Sequence, residues 1–163
     1  MRLFVANQLS DEMKKSLTGL MHDCKTQGIK GNYTPAQNLH LTLCFIGETK
    51  EKDTIKQALK AVKYKPFKLA LTETGNFGDL IWAGVRSGQS INSLVTDIRK
   101  VLHEAGIPFD EKKFVPHITL IRKASKNPGK LDIKKADMMV KKISLMKSER
   151  VNGKMEYTEI FSF

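Results

Sequence analysis

The sequence lacks the features that mark secreted and membrane-spanning proteins. Its 163 residues include two cysteines, Cys24 and Cys44, and each lies within an apolar pattern rather than in a disulfide framework. No apolar run reaches the roughly 18 to 20 residues needed to span a bilayer, and the opening residues 1–5 turn polar too early for a secretory signal. We therefore expect a cytoplasmic protein with no membrane contact and no disulfide.

Motifs for common catalytic chemistries are also missing, and acidic residues are few. There is no serine-nucleophile motif, no Walker-type glycine loop and no cluster of metal-ligand residues, so we expect no metal and no cofactor. Aromatic residues make up 7% of the chain, and 17 acidic residues face 28 lysines and arginines, which gives a net charge of +11. Such a charge favours a polyanionic partner or substrate, although a solubilising surface is the alternative.

One short motif is present twice. His40-Leu41-Thr42 and His117-Ile118-Thr119 share the order histidine, apolar residue, threonine, and apolar residues alternate around both. Because successive side chains of a strand point to opposite faces, each histidine is expected to share a face with its threonine. The residues expected to face the core instead are Leu41, Leu43, Phe45, Val115, Ile118 and Leu120.

The repetition extends beyond the motif. Shifting the sequence by 77 positions, the difference between 117 and 40, places Val5 on Trp82 and Leu17 on Leu94 without a gap. Each half then runs strand, helix and His-x-Thr strand, which indicates an internal duplication. If the halves pack about a pseudo-two-fold axis, the two His-x-Thr faces meet.

Helices between strands, together with several hairpin signals, predict an α+β fold. We expect one two-lobed domain over residues 1–163, with two antiparallel-rich sheets related by a pseudo-two-fold axis, helices on the outside and an active-site groove between the lobes. Helices are predicted after Ser10, over 52–62, and from 87–90 to 105. Strands are predicted over 3–6, 39–46, 67–72, 80–85, 115–121, 138–148 and 155–163, with Gly47 ending the second of these and Asn152-Gly153 forming the last hairpin turn.

Two histidines across a groove can act as one proton donor and one proton acceptor, because an imidazole titrates near neutral pH. Acid–base hydrolysis needs both roles, and each is worth roughly 100- to 10,000-fold in rate. Thr42 and Thr119 can donate hydrogen bonds to a phosphate held between the histidines, and Arg122 can add a charge-assisted contact. The pattern therefore favours metal-free phosphodiester chemistry.

Each residue also has a structural explanation. A single strand histidine is more often a packed core residue, and threonine is a common strand former. Arg122 at a strand end can be merely solvated, and a zinc site on His40 and His117 lacks visible carboxylate or thiolate partners. The repeated register favours function, and His22 and His103, which lie in helical segments without the motif, are interpreted as surface or cap residues.

The chain resembles the 2H phosphoesterase superfamily, and within it the bacterial and archaeal RNA 2′,3′-cyclic phosphodiesterases, also called 2′-5′ RNA ligases. The resemblance covers almost the whole chain. The segments that carry it are Met1-Arg2-Leu3-Phe4-Val5-Ala6, Asn38-Leu39-His40-Leu41-Thr42-Leu43 with Phe45-Ile46-Gly47-Glu48, Phe114-Val115-Pro116-His117-Ile118-Thr119-Leu120 with Arg122, and Ser148-Glu149 with Tyr157.

The resemblance implies metal-free hydrolysis of an RNA or nucleoside 2′,3′-cyclic phosphate to the 2′-phosphomonoester. His40 would be the proton donor to the departing 3′ oxygen, His117 the proton acceptor that activates water, and Thr42, Thr119 and Arg122 the phosphate-binding residues. Run in reverse, the same site would join an RNA end with a 2′,3′-cyclic phosphate to a 5′-hydroxyl. The segment 123–130 is rich in lysine but lacks an aromatic residue, and few aromatics flank the motifs, so the sequence does not indicate a base-stacking residue.

Two other functions remain open at this point. One is a basic RNA-binding module with a degenerate site. The other is phosphodiesterase action on a different substrate, such as 2′-5′ oligoadenylate, ADP-ribose 1″,2″-cyclic phosphate or a protein-derived phosphodiester. We expect a monomer, because the repeat already supplies the pairing of sites that a two-fold dimer would give.

Overall fold

The computed structural model describes residues 1–163 as three helices and two antiparallel sheets, which confirms the predicted fold class. The helices are α1 (Asp11–Thr26), α2 (Lys52–Lys60) and α3 (Ser90–Glu104). The strands are β1 (Arg2–Gln8), β2 (Asn32–Tyr33), β3 (His40–Glu48), β4 (Phe67–Phe77), β5 (Leu80–Arg86), β6 (His117–Arg122), β7 (Asp137–Val140), β8 (Ser144–Val151) and β9 (Lys154–Ser162).

The two sheets repeat one arrangement. The first sheet has the order β3-β1-β8-β9, and the second has the order β2-β6-β5-β4-β7. In each sheet a His-x-Thr strand, β3 or β6, pairs with the strand that opens its half of the chain, β1 or β5. The strand pairing therefore follows the repeat found in the sequence.

Two of the helices pack against the sheet of the other half of the chain. Ser10 caps α1 by accepting a hydrogen bond from the main-chain N–H of Met13. The buried stripe of α1 packs against β6 and β7 of the second sheet, whereas α3 packs against β3 of the first. Apolar residues of both sheets and all three helices consequently form one buried cluster. None of the three helices has the length and apolar composition of a membrane span.

The predicted long strand over 138–148 is wrong, because the chain changes sheets within it. β7 pairs with β4 in the second sheet, and β8 pairs with β1 in the first. Two consecutive exposed lysines, Lys141 and Lys142, lie at the crossing. Alternating apolar residues on both sides of the crossing resemble one continuous strand, since periodicity does not report which sheet a strand joins. The predicted hairpin turn at Asn152-Gly153 is confirmed, and both residues have positive φ as a tight turn of this type requires.

Two residues expected in the core are exposed. Pairing between β1 and β3 shifts register at Leu43, so Leu43 and Cys44 are both buried and Phe45 turns outward with 37% of its surface exposed. Val115 is 44% exposed, because β6 begins only at His117. Gly47 does not end β3 but lies within it, beside a second register shift.

The two cysteines agree with the predicted absence of a disulfide. Cys24 and Cys44 are both free and buried, on α1 and β3. Burial raises the pKa of Cys44 to about 12, so this thiol stays protonated at neutral pH.

Candidate active site

The two His-x-Thr strands come together although they belong to different sheets. β3 and β6 contact each other, and His40 and His117 are the first residues of these strands. The two imidazoles are close enough that protonation of His117 disfavours protonation of His40 and lowers the pKa of His40. The predicted meeting of the two motifs is therefore present in the structure.

His40 is held through both ring nitrogens. Its Nδ1 lies 2.7 Å from the main-chain oxygen of Asn38, and its Nε2 lies 2.9 Å from Oγ1 of Thr42. Because a carbonyl oxygen only accepts, we assign the proton to Nδ1, which leaves Nε2 to accept a hydrogen bond from the Thr42 hydroxyl. The shared face predicted for His40 and Thr42 is thus confirmed by a direct contact.

Asn38 fixes the carbonyl that holds His40. It ends a short 3-10 turn over Ala36–Asn38, is 8% exposed, and donates from Nδ2 to the main-chain oxygen of Met155 at 2.9 Å. Met155 lies on β9, so the turn before β3 is anchored to the far edge of the first sheet. Sequence reasoning missed this role, although a polar residue two positions before the histidine was visible.

His117 has the same main-chain tether. Its Nδ1 lies 2.6 Å from the main-chain oxygen of Val115, again two residues earlier, so we assign this nitrogen as the donor too. The structure records no protein hydrogen bond to Nε2 of His117. In both imidazoles Nδ1 is held by the main chain, and Nε2 is the nitrogen without a main-chain partner.

Four of the chain's few aromatic rings surround the two imidazoles. The ring centroid of His40 lies 5.1 Å from that of Phe4 and 5.0 Å from that of Tyr157. The ring of His117 lies 5.1 Å from Phe77 and 6.5 Å from Trp82. The sequence did not predict this arrangement, because the four rings come from separate strands and none is adjacent to a motif.

Trp82 depends on a glycine of the neighbouring strand. A Cβ atom on Gly75 would lie 2.3 Å from Cη2 of the indole, a distance that real contacts do not reach. Gly75 and Trp82 are direct partners in the pairing of β4 with β5. A side chain at position 75 would therefore displace the indole that borders His117.

The environment of His40 disfavours its charged form. Burial lowers the pKa of His40 below its usual 6.5, the hydrogen bond to the Asn38 carbonyl opposes this effect, and the positive charges of Arg122 and His117 lower the pKa further. The free protein thus holds His40 as a neutral imidazole at pH 7.

Arg122 and Thr119 lie where the sequence predicts them, on the second His-x-Thr strand. Arg122 is exposed at the end of β6, and its charge reaches His40. Thr119 is half-buried and faces Trp82 across the pairing with β5, while its main-chain oxygen accepts a hydrogen bond from Thr34. All five predicted site residues, His40, Thr42, His117, Thr119 and Arg122, therefore lie on the two contacting strands.

The remaining histidines behave as expected for surface residues. His22 on α1 and His103 on α3 are both exposed. The structure contains no group of three or more His, Cys, Asp or Glu side chains arranged to hold a metal ion.

Two tethered imidazoles, each with a threonine two residues along its strand, match the pattern of a 2H phosphoesterase. The model of the 2′-5′ RNA ligase superfamily matches residues 3–152 of the chain. The chain therefore belongs to this superfamily, and the resemblance found in its motifs is confirmed.

Individual relatives and solved structures are also similar to this chain. An RNA 2′,3′-cyclic phosphodiesterase from Archaeoglobus fulgidus is 30% identical over 141 residues, which cover 82% of this chain and 78% of the relative. The crystal structure of TT0787 from Thermus thermophilus has a TM-score of 0.83 at 28% identity, over 100% of this chain and 97% of that one. The apo form of LigT from Escherichia coli has a TM-score of 0.87 at 24% identity, over 99% and 95%, which shows a shared fold.

Proposed function

We propose that this chain hydrolyses RNA ends carrying a 2′,3′-cyclic phosphate to the 2′-phosphomonoester, with His40 as proton donor and His117 as proton acceptor. Its family and the name of its relative make it an RNA 2′,3′-cyclic phosphodiesterase. The observation that carries the pairing of the two histidines is their equivalent tether, in which a main-chain carbonyl occupies each Nδ1 and leaves each Nε2 without a main-chain partner. The choice of His40 as donor and His117 as acceptor follows the resemblance to the superfamily.

Both proposed proton transfers use Nε2. Nε2 of His117 takes a proton from water while the water oxygen forms a bond to phosphorus. The bond from phosphorus to the 3′ oxygen breaks, and that oxygen receives the proton from Nε2 of His40. The phosphate stays on the 2′ oxygen, and the two histidines end with their protonation states exchanged.

His40 must gain a proton before it can donate one, because the free protein holds it neutral. A phosphodiester anion beside the imidazole favours the charged form and raises the pKa of His40. Once Nε2 is protonated it can no longer accept from Oγ1 of Thr42, and its N–H is available to the 3′ oxygen. The Thr42 hydroxyl hydrogen is then released to donate to a non-bridging phosphate oxygen.

Thr119 and Arg122 supply the matching contacts from the second sheet. The Thr119 hydroxyl has no recorded hydrogen bond in the structure and is available to a phosphate oxygen. The Arg122 guanidinium contributes positive charge, which stabilises the charge that develops on the phosphate in the transition state.

Three further features belong to the proposal. The chain itself supplies the acid and the base, so the reaction needs no metal. The same site, with a 5′-hydroxyl in place of water as the nucleophile, would form a 2′-5′ linkage. Residues 1–163 form one duplicated two-lobed domain, an inference supported by the matching sheet orders and the shared core. Monomeric state and cytoplasmic location stay predictions.

Product analysis tests the proposal. The protein is incubated with adenosine 2′,3′-cyclic phosphate and excess EDTA, and ³¹P NMR identifies the product. We expect the 2′-monophosphate at an undiminished rate, and a His103→Ala control with wild-type activity. The 3′-monophosphate would overturn the role assignment, and loss of activity in EDTA that added metal restores would overturn metal independence. Salt-sensitive RNA binding without turnover of any cyclic phosphate would favour the degenerate RNA-binding module.

A further inference from the structure

The two sheets place different charges beside the site. The hairpin of β8 and β9 carries three basic and three acidic residues between positions 147 and 159, namely Lys147, Arg150, Lys154, Glu149, Glu156 and Glu159. The segment 122–130, which follows β6, carries Arg122, Lys123, Lys126 and Lys130 and no acidic residue. A polyanion that extends beyond the catalytic groups therefore meets favourable charge on the side of the second sheet.

Main-chain contacts hold this basic segment next to Phe77. The N–H of Ala124 donates to the main-chain oxygen of Asp79 at 2.9 Å, which places the segment at the turn between β4 and β5. Ser125 exchanges hydrogen bonds with Lys30, from its N–H to the Lys30 oxygen at 2.7 Å and from the Lys30 N–H to its Oγ at 2.8 Å. Lys30 is thereby added to the same surface.

Three of the lysines on this surface are available to a ligand. Lys30, Lys123 and Lys126 are exposed, and the structure records no ion pair for any of them. Lys130 is engaged with Glu73 at 3.1 Å. The neighbouring turn carries one acidic residue, Asp79. The net charge of the exposed residues on this surface is still positive when Asp79 is included.

The exposure of the aromatic rings also differs between the two halves, and the more exposed ring lies on the second sheet, as the free positive charge does. Phe77, beside His117, is 45% exposed, whereas Phe4, beside His40, is 5% exposed. Val115, whose carbonyl holds His117, is also exposed, at 44%. An exposed aromatic ring next to free cations is the combination that binds single-stranded nucleic acid, through base stacking and phosphate contacts.

We propose that the RNA chain upstream of the cyclic phosphate leaves the site over the second sheet, where a base stacks on Phe77 and the preceding phosphates contact Lys30, Lys123 and Lys126. This inference rests on the proposed function and makes it more specific, since the preferred substrate is an RNA chain rather than a free cyclic nucleotide. The neutral hairpin of β8 and β9 does not contribute to this preference.

The first test is a substrate comparison. We measure kcat/KM for adenosine 2′,3′-cyclic phosphate and for a hexaribonucleotide with the same cyclic end, and we expect the wild type to prefer the hexanucleotide. In the triple variant Lys30→Gln, Lys123→Gln and Lys126→Gln this preference should fall about tenfold, as weak exposed contacts of this kind predict. The salt dependence of hexanucleotide binding should weaken by about 0.7 in log–log slope for each lysine.

A control variant of equal charge separates local contacts from net charge. Lys15→Gln, Lys50→Gln and Lys63→Gln together change three exposed lysines on other parts of the surface. We expect this control to keep the wild-type preference. An equal fall in both triple variants, or no preference in the wild type, would overturn the inference while turnover of both substrates would still support the proposed function.

The stacking contact is tested by binding, because Phe77 touches His117 and its replacement can disturb catalysis. In a His117→Ala background, which is expected not to turn over, we measure hexanucleotide affinity by fluorescence anisotropy. Phe77→Ala should weaken binding roughly 5- to 100-fold and Phe77→Tyr should preserve it. Equal affinity of the Ala and Tyr variants would overturn the assignment of Phe77.

Discussion

The two halves of the site share one motif but differ in what surrounds it. Each histidine donates from Nδ1 to the main-chain oxygen two residues earlier. His40 then bonds its own threonine and packs against the buried Phe4, whereas His117 has no second hydrogen bond and borders the exposed Phe77. The duplicated motif orients both imidazoles alike, while the differing surroundings lower the pKa of His40 and decide what each imidazole can contact.

The largest expected difference between the halves comes from the leaving atom. A cyclic substrate with sulfur in place of the bridging 3′ oxygen needs no proton donor, because a thiolate leaves without protonation. His40→Ala should lose about 100- to 10,000-fold in kcat on the oxygen substrate and recover most of it on the sulfur substrate. His117→Ala should lose a similar factor on both. Recovery in His117→Ala instead would reverse the assigned roles.

The threonines provide the next comparison. Replacement by valine keeps the shape of the side chain and removes the hydroxyl, so kcat should fall about 10- to 100-fold in Thr42→Val and in Thr119→Val. Only Thr42→Val removes a hydrogen bond to an imidazole, so only this variant should change the NMR titration of His40. A changed His40 titration in Thr119→Val, with none in Thr42→Val, would contradict the contact seen in the structure.

Asn38 supplies a further test of the His40 half, because its side chain anchors the residue whose main-chain oxygen holds Nδ1 of His40. Asn38→Ala leaves the Met155 oxygen without its partner and should lower the free energy of unfolding by about 1 to 3 kcal/mol in urea titrations. It should also lower kcat and alter the His40 titration, which a purely structural role would not do. Thr34→Val, which removes a side-chain hydrogen bond near β6, serves as the control and should leave the His40 titration unchanged.

The smallest effect expected is a shift in a titration curve. In the free protein, burial and nearby positive charge place the pKa of His40 below 6.5. A phosphodiester anion favours the imidazolium, so the pKa should rise when adenosine 2′,3′-cyclic phosphate binds. NMR titration of His117→Ala with and without the nucleotide measures the shift without turnover. A pKa that stays the same or falls would show that His40 is not protonated by substrate binding.

The sequence predicts which strands carry the two His-x-Thr motifs, because strand alternation and the 77-residue repeat are periodic signals. His40, Thr42, His117, Thr119 and Arg122 all lie on β3 and β6. The same reasoning fails where neighbours in space decide the outcome. The register shift that turns Phe45 outward depends on pairing with β1, and the crossing at Lys141 and Lys142 depends on which sheet each strand joins.

The aromatic surroundings could not be predicted for a related reason. Tyr157 reaches His40 because β9 lies in the same sheet as β3, although 117 residues separate the two positions. Phe77 and Trp82 meet at His117 because a tight turn joins β4 to β5 and Gly75 leaves space for the indole. Low aromatic content in the sequence therefore hid a local concentration of rings at the site.

The central claim is that His40 and His117 act together on one phosphate. The most direct measurement is the turnover of adenosine 2′,3′-cyclic phosphate by the wild type, His40→Ala and His117→Ala, with folding of each variant verified by circular dichroism. We predict that each substitution lowers kcat by at least about 100-fold. Near wild-type turnover in either folded variant would contradict the claim.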